Sequence, residues 1–312
     1  MSTKAQRQTH RFLRFILTHN GDDGHEDFHY IDLAQQLSLI NRRLYRQGMV
    51  YHVANITVHD GDGDAFVKFC TAPNTYITHK AWATGFRNWK KQRAMVLQGM
   101  DQSLVPRSLT GAWSDFKVYL NADHIDDVDK PTFSDIENTN ISTAGDWDYS
   151  KFYQDYDANG VQDEMYIHLM GGHDGTTLDW DSIGLIEALD EIWPTQGQEP
   201  VVDSAASTSI YINMFDSGQD EIMDDIENES DDPPYSSSLM PGANASAPYP
   251  WEVREVHLGT SANKTGYVGG FPVPCGLLCI ETKSSGLGNE IGLLIEMVPG
   301  KYKGVMAERM DA

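Results

Sequence analysis

The stretch VYHVANITVHDGDGDAFVKFCTA, residues 50–72, decides the fold class. Apolar and polar side chains alternate along residues 51–58 and again along 65–71, and a period of two is the pattern of a strand with one buried face. Between the two runs, HDGDGD combines Asp with Gly, the residues that favour tight turns. The stretch therefore predicts two strands joined by a hairpin.

Similar runs recur along the rest of the chain, separated by turn residues. They predict strands at residues 11–17, 51–58, 65–71, 115–120, 147–153, 165–170, 207–213, 251–258, 276–283 and 291–298.

Three segments follow a helical period instead. Residues 77–98 place Trp82, Phe86 and Trp89 on one stripe, with basic residues off it, which predicts a long helix. Residues 32–48 predict a short helix closed by Gly48. Residues 220–229 predict a third, acidic helix, which the prolines of the DDPPY sequence cannot continue.

The order of these elements excludes a parallel α/β fold, which needs a helix between successive strands. It predicts a mainly β protein, an antiparallel β-sandwich of jelly-roll type with one long and one or two short helical insertions. We expect an N-terminal segment and short helix at 1–48 and the sandwich domain at 49–312. That domain would carry a helical insertion at about 77–98 and surface loops at about 121–146 and 214–250.

The charge of the chain is strongly asymmetric. The formal net charge is −23. Residues 1–117 hold 15 basic and 10 acidic residues (+5), whereas residues 118–312 hold 8 basic and 36 acidic residues (−28), and the two parts add to −23. This balance excludes a basic footprint over the whole chain. It leaves open whether the acidity solvates the surface, answers to a saline habitat or serves a partner.

The cysteines and the N-terminus indicate a protein made in a cytosol. Three cysteines do not make a disulfide framework. The first twenty residues contain no apolar run typical of a signal peptide, and no later stretch has the roughly 20 apolar residues of a membrane span.

The segment DYDANGVQDE places oxygen ligands at alternate positions before a glycine, as calcium loops do. The candidate ligands are Asp155, Asp157, Asn159 and Asp163. Tyr166 stands where an EF-hand needs a bidentate Glu, so a true EF-hand is excluded. The alternative is a hairpin turn, because Asn-Gly favours one, and we predict no metal ligands and no cofactor.

Catalytic motifs are also missing. The loop MGGHDGTT lacks the Lys of a P-loop, and neither a Gly-x-Ser-x-Gly elbow nor a His-Glu-x-x-His pair occurs. A metal-dependent hydrolase using His168, His173 and Asp174 is a remote option. The sequence therefore predicts that the protein is not an enzyme.

Two basic groups could bind a polyanion. The first, with the candidate nucleic-acid-binding residues, lies partly before the first strand and partly on the short helix. The second, Arg87, Lys90, Lys91 and Arg93, lies on the long helix. The alternatives for both are a solvated helix face or pairing with an acidic neighbouring subunit. The first group comprises Arg7, Arg11, Arg14, Arg42, Arg43 and Arg46.

An ordered set of segments carries a family resemblance. The chain resembles the capsid proteins of small circular single-stranded DNA viruses, known mainly from marine and other environmental metagenomes, over about residues 11–309. The segments are INRRLYRQG, VYHVANITV, NTYITHKAWATGFRNWKK, WSDFKVYL, GDWDYS, DDPPYS, GGFPVPCGLLCIETKSS and VPGKYKGVMAERM.

The resemblance implies a jelly-roll coat subunit, synthesised in the host cytoplasm, that assembles with copies of itself into a virion shell around single-stranded DNA, with no membrane partner. The chain departs from many such coats in lacking a long Arg-rich N-terminal arm, which puts electrostatic packaging of the genome in doubt. The alternative from another class is a calcium-dependent, glycan-binding β-sandwich module.

Overall fold

A computed structural model describes residues 8–19, 26–61, 65–99, 113–126, 147–154, 163–176, 179–192, 240–244, 251–259, 264–284 and 288–311. The strands of this part of the chain are β1 Phe12–His19, β2 Glu26–Asp32, β3 Met49–Asp60, β4 Phe66–Thr71, β5 Lys151–Gln154, β6 Asp163–His168, β7 Asp174–Thr176, β8 Asp179–Gly184, β9 Glu252–His257, β10 Thr265–Pro274, β11 Leu277–Lys283, β12 Asn289–Met297, β13 Pro299–Gly300, β14 Gly304–Val305 and β15 Ala307–Arg309. The helices are α1 Leu33–Asn41, α2 Tyr76–Gly99, α3 Asp123–Asp126 and α4 Leu185–Ile192.

Nine of the fifteen described strands form two antiparallel sheets. The first has the order β1-β12-β3-β10, with β15 also paired to β3, and the second has the order β2-β11-β4-β9. The predicted mainly β, antiparallel architecture is confirmed. Strands β1 and β2, which lie within residues 1–48, pair with β12 and β11 near the other end of the chain.

The inward side chains of both sheets share one apolar core. Phe15 and Tyr51 of the first sheet and Phe69 of the second are fully buried in it. Helix α1 adds Leu33 and Leu37, which close one end of this core. Burial of side chains this large contributes about 1.5–3 kcal/mol each, so the contact between the sheets dominates the stability of this part of the molecule.

A large insertion between β4 and β9 builds a second core. Its strands form a mixed sheet of order β5-β6-β8-β7, in which β6 and β8 are parallel. Helix α2 packs on α4 and on Phe116, with Trp82 only 4% exposed. The second core also contains Cys70 and Cys279, which lie on the outer face of the second sheet, so the insertion covers part of that face.

Several predicted elements match the structure and others need correction. The long helix at 77–98 is confirmed as α2. The hairpin predicted across residues 59–64 is wrong, because β3 and β4 belong to different sheets and the chain crosses between them there. The short helix ends at Asn41 and not at Gly48, because Arg42 adopts the left-handed conformation (φ 52°) that terminates a helix. No strand forms at 115–120, where Tyr119 makes only an isolated bridge to His168.

The remaining expectations fall partly outside the described residues. The strand at 207–213 and the helix at 220–229 lie there, as do most of the two predicted surface loops. The described part of the second loop, residues 240–244, is packed into the second core through Met240 and Ala243 and is therefore not an exposed loop.

Candidate nucleic-acid interface

Helix α1 positions the predicted arginines. Asp32 caps its N-terminus by accepting hydrogen bonds from the backbone N–H groups of Ala34 (2.9 Å) and Gln35 (3.1 Å). At the other end, the Arg42 backbone N–H donates to the Ser38 carbonyl and the chain turns away. The arginines at 42, 43 and 46 therefore lie in the irregular segment that leads from α1 into β3.

A lysine from the C-terminal end of the chain joins these arginines. Lys303 lies in the hairpin of β13 and β14, its ammonium donates to the Leu44 carbonyl, and it lies 5.5 Å from the centre of the Tyr45 ring. Burial lowers the pKa of Lys303, and the nearby charges of Arg46 and Arg43 lower it further. We call Arg42, Arg43, Arg46 and Lys303 the basic cluster.

Sequence reasoning missed Lys303 because it lies more than 250 residues from Arg46. The available signal was the Lys-Tyr-Lys run at 301–303, in which an aromatic residue separates two cations. The Tyr302 hydroxyl accepts from the Arg46 backbone N–H (3.0 Å), and the Tyr45 hydroxyl donates to the Lys303 carbonyl (2.9 Å). These two tyrosines fix the separation of the cations.

One carboxylate lies within the basic cluster. Arg46 pairs with Asp115 at 2.8 Å, where the arginine side chain is 50% exposed and the aspartate only 8% exposed. Burial raises the pKa of Asp115, and the hydrogen bond from Arg46 opposes that rise. A phosphate approaching Arg46 from solvent would therefore share the guanidinium with Asp115.

The N-terminal segment runs along the same surface. His10 and Asn41 exchange hydrogen bonds of 2.9 and 3.0 Å, and the Thr9 hydroxyl donates to the Lys303 carbonyl (3.0 Å). Arg11 follows directly, half-buried. Of the other predicted residues, Arg7 lies outside the described residues, and Arg14 is exposed on the outer face of β1.

A buried polar network fixes the segment behind the basic cluster. The Gln47 side-chain amide donates to Asp32 Oδ2 (3.0 Å) and to the Val118 carbonyl (2.9 Å), and Trp147 Nε1 also donates to Asp32 (2.9 Å). Burial raises the pKa of Asp32 to about 6, because these hydrogen bonds only partly offset the loss of solvent. The network joins α1 to the insertion and has no access to a ligand from bulk solvent, since Asp32 and Gln47 are buried.

Most of the candidate calcium ligands lie outside the described residues. Asp155, Asp157 and Asn159 are outside the described residues, as is the side chain of Asp163. The flanking strands β5 and β6 pair antiparallel with Gln154 opposite Asp163, as the hairpin alternative predicts. Within the described ranges, no group of three or more His, Cys, Asp or Glu side chains is placed to hold a metal.

The histidines of the remote hydrolase option take structural positions. His168 is buried, its Nδ1 lies 2.9 Å from the Met170 carbonyl oxygen, and burial lowers its pKa to about 4. The ring of His173 lies 3.1 Å from Glu187 and accepts a hydrogen bond from the Gly184 backbone N–H (3.0 Å). Asp174 is exposed and accepts from the Gly175 backbone N–H (3.0 Å). These three residues are not placed together as a metal-binding group.

No protein family, curated protein or solved structure matches this chain. None of the helices in the described ranges combines the length and apolar character needed to cross a membrane.

Proposed function

We propose that the protein is a viral coat subunit with a jelly-roll fold, which is synthesised in the host cytoplasm and assembles with copies of itself into a shell around a circular single-stranded DNA genome. The observation that carries the proposal is the nesting of the strand pairs. Strand β1 pairs with β12, β2 with β11, β3 with β10 and β4 with β9.

Such nesting describes one long antiparallel ribbon that is rolled up. Rolling the ribbon brings β12 against β3 and β11 against β4, and both of these contacts occur. This arrangement supports the proposed jelly roll, a fold of eight strands in two sheets that viral coats and lectins use. The fold alone does not imply a function, so the proposal also rests on the resemblance of the ordered sequence segments.

The position of the insertion supports an assembling subunit. Residues 72–251 lie between β4 and β9, at the closed end of the ribbon, where an insertion leaves the four nested strand pairings intact. An insertion with its own core can present a surface to neighbours without disturbing the sandwich. The net charge of −23 opposes association of like subunits, so we expect the contacts to be specific and salt-dependent.

The basic cluster supports contact with the genome. Arg42, Arg43, Arg46 and Lys303 concentrate four cations on a surface that the N-terminal segment also follows. Replacing the arginines by glutamine is expected to lower the amount of packaged DNA without stopping assembly. Unchanged packaging in this variant would assign the role to another surface.

Size-exclusion chromatography with light scattering, followed by negative-stain microscopy, tests the proposal on the purified full chain. We expect closed particles tens of nanometres wide that protect single-stranded DNA from nuclease. A monomer that persists across protein concentration, pH, salt and calcium would refute the coat function and favour the glycan-binding module instead. Binding of that monomer to immobilised glycans with and without a chelator would then test the alternative.

A further inference from the structure

Helix α2 has an unusual charge for this molecule. Its 24 residues contain Lys80, Arg87, Lys90, Lys91 and Arg93 and no Asp or Glu, a charge of +5 in a chain of −23. The helix therefore carries as much positive charge as the whole net surplus of residues 1–117.

The aromatic side of α2 is already used inside the molecule. The rings of Trp82 and Phe86 are stacked with centres 5.0 Å apart, and the rings of Phe86 and Trp89 lie 5.8 and 5.6 Å from that of Phe116. Trp82 is buried, and Phe86 and Trp89 pack against the second core. This stripe needs no neighbouring subunit to cover it, and the side left open to solvent is the basic one.

Three cations dominate the open side. Arg87, Lys90 and Lys91 are exposed. The Arg87 guanidinium is held against its own helix by the Ala83 carbonyl (3.3 Å) and the Thr84 hydroxyl (3.0 Å). Since four residues of a helix span about 6 Å, the three charges form one short, dense stripe.

Two cations of α2 also lie over rings of the aromatic stripe. The Lys90 ammonium lies 5.2 Å from the centre of the Phe86 ring, and the Arg93 guanidinium lies 4.7 Å from that of Trp89. Such cation–π contacts hold long side chains in a defined position. One carboxylate, Asp311, is close enough to Lys90 for its pKa to be lowered slightly by that charge, although its main partner is Arg309.

Folding does not require these charges. The positions 87 and 91 are four apart, and 87 and 90 three apart, so they are like-charge neighbours that destabilise a helix. No acidic residue of α2 can pair with them, and none of the basic residues lies in the last helical turn, where the helix dipole would favour them. A bound polyanion would relieve this repulsion.

We propose that the exposed stripe of Arg87, Lys90 and Lys91 binds the phosphate backbone of single-stranded nucleic acid, as a second contact beside the basic cluster. Lysine is depleted at protein–protein interfaces, whereas closely spaced cations without interleaved carboxylates suit a linear polyanion. The proposal deepens the proposed function, because it names a surface of the coat subunit that faces the genome.

The test is fluorescence anisotropy of a labelled 20-nucleotide oligo(dT) titrated with the full chain between about 50 and 200 mM NaCl. The test variant combines Arg87→Gln, Lys90→Gln and Lys91→Gln. A matched variant, R254Q/K264Q/K283Q, removes the same charge from strand β9, the residue before β10 and strand β11. Each phosphate contact to a single strand contributes about 0.7 to the slope of log K against log salt.

We expect the test variant to lose about 2 from that slope and at least tenfold in affinity at the lowest salt, while the matched variant keeps the wild-type slope. An unchanged slope in the test variant, or an equal loss in the matched variant, would overturn the proposal. Wild-type DNA binding together with lost self-association would assign the stripe to a neighbouring subunit and likewise overturn it. The charge-conserving variant Arg87→Lys should bind like wild type.

The coat proposal and the DNA-binding proposal can fail independently, and the two measurements distinguish these cases. If the wild-type chain forms no particles and the test variant still loses oligo(dT) binding, the DNA-binding stripe stands and the shell does not. If particles form and the stripe variant binds oligo(dT) normally, the shell stands and the stripe does not.

Discussion

Replacing Gln47 by leucine should weaken the attachment of the insertion to the sandwich. Gln47 is fully buried, and its side chain replaces a strand partner for Val118: it donates to the Val118 carbonyl (2.9 Å) and accepts from the Val118 N–H (2.5 Å). It also donates to the Asp32 carboxylate (3.0 Å). Leucine has a similar volume, so the substitution removes the polar contacts and keeps most of the packing.

The expected loss follows from these three hydrogen bonds. Each neutral bond to Val118 contributes about 1 kcal/mol and the bond to the Asp32 carboxylate about 2 kcal/mol, so the free energy of unfolding should fall by about 4 kcal/mol. Urea denaturation followed by circular dichroism measures this change. Hydrogen exchange should show the Val118 amide losing its protection, because its acceptor is gone.

Gln92 offers a matched control. Its side chain bonds to both backbone groups of Tyr153, donating to the carbonyl (2.9 Å) and accepting from the N–H (3.4 Å), but it is only half-buried. Gln92→Leu should therefore cost less than about 1 kcal/mol, since water can replace the lost partners. A loss below about 1.5 kcal/mol in Gln47→Leu, or equal losses in the two variants, would refute the role given to burial.

Three further predictions concern the buried carboxylate, the helix contact and the acidic surface. The pKa of Asp32 is raised to about 6 from an ordinary 3.8, so the native state binds its proton more tightly than the unfolded state and stability should fall as pH rises from 4 to 6. Asp32→Asn should remove about 2 kcal/mol of that change, measured as the difference in free energy of unfolding from wild type across the same pH range. In Gly48→Ala the new Cβ would lie 2.6 Å from two ring carbons of the buried Trp82, which should cost about 1–3 kcal/mol in thermal denaturation. Millimolar calcium should raise the melting temperature of assembled protein more than that of isolated subunits, since assembly brings acidic surfaces together; an equal gain in sodium chloride of matched ionic strength indicates screening, and a gain lost in Asp155→Ala with Asp157→Ala indicates a site.

Hydrophobic alternation found the strands that have one buried and one solvated face. Strand β12 alternates strictly, with Ile291, Leu293 and Ile295 buried and the residues between them more exposed, and its bounds were predicted within two residues. Strand β2 was missed because its last four residues are all buried, since the insertion covers the outer face near Tyr30. The sequence of a strand that is buried on both faces does not alternate between apolar and polar residues.

Strand β10 was missed for a different reason. Its sequence, TGYVGGFPVP, contains three glycines and two prolines, which are normally strand breakers. The strand lies at the edge of its sheet, where Pro272 and Pro274 need no second strand partner for the N–H they lack. A Cβ at Gly266 would run into the side chain of Val256 on β9, so a residue without a side chain is required there.

Of the candidate interface, the sequence could supply the arginines and not their partners. Arg42, Arg43 and Arg46 are adjacent in the chain, so their proximity needs no fold. Lys303 and Asp115 reach Arg46 only through the pairing of the chain ends and the docking of the insertion. Contacts over such separations depend on the sheet order, which local patterns do not specify.

Residues 115–120 show most clearly what a sequence pattern omits. Alternation predicted a strand, and its apolar residues Phe116, Val118 and Leu120 are all buried, yet no ladder forms. Two of its N–H groups bond to side chains instead, Lys117 to the Ser150 hydroxyl (3.0 Å) and Val118 to Gln47, whereas the Tyr119 N–H donates to the Ile167 carbonyl (2.9 Å). Periodicity therefore identified the residues that face the core, whereas a buried glutamine supplies the partners of both backbone groups of Val118. Because both backbone groups of Val118 depend on that one side chain, a point substitution at Gln47 disturbs this segment more than it would disturb a strand within a sheet.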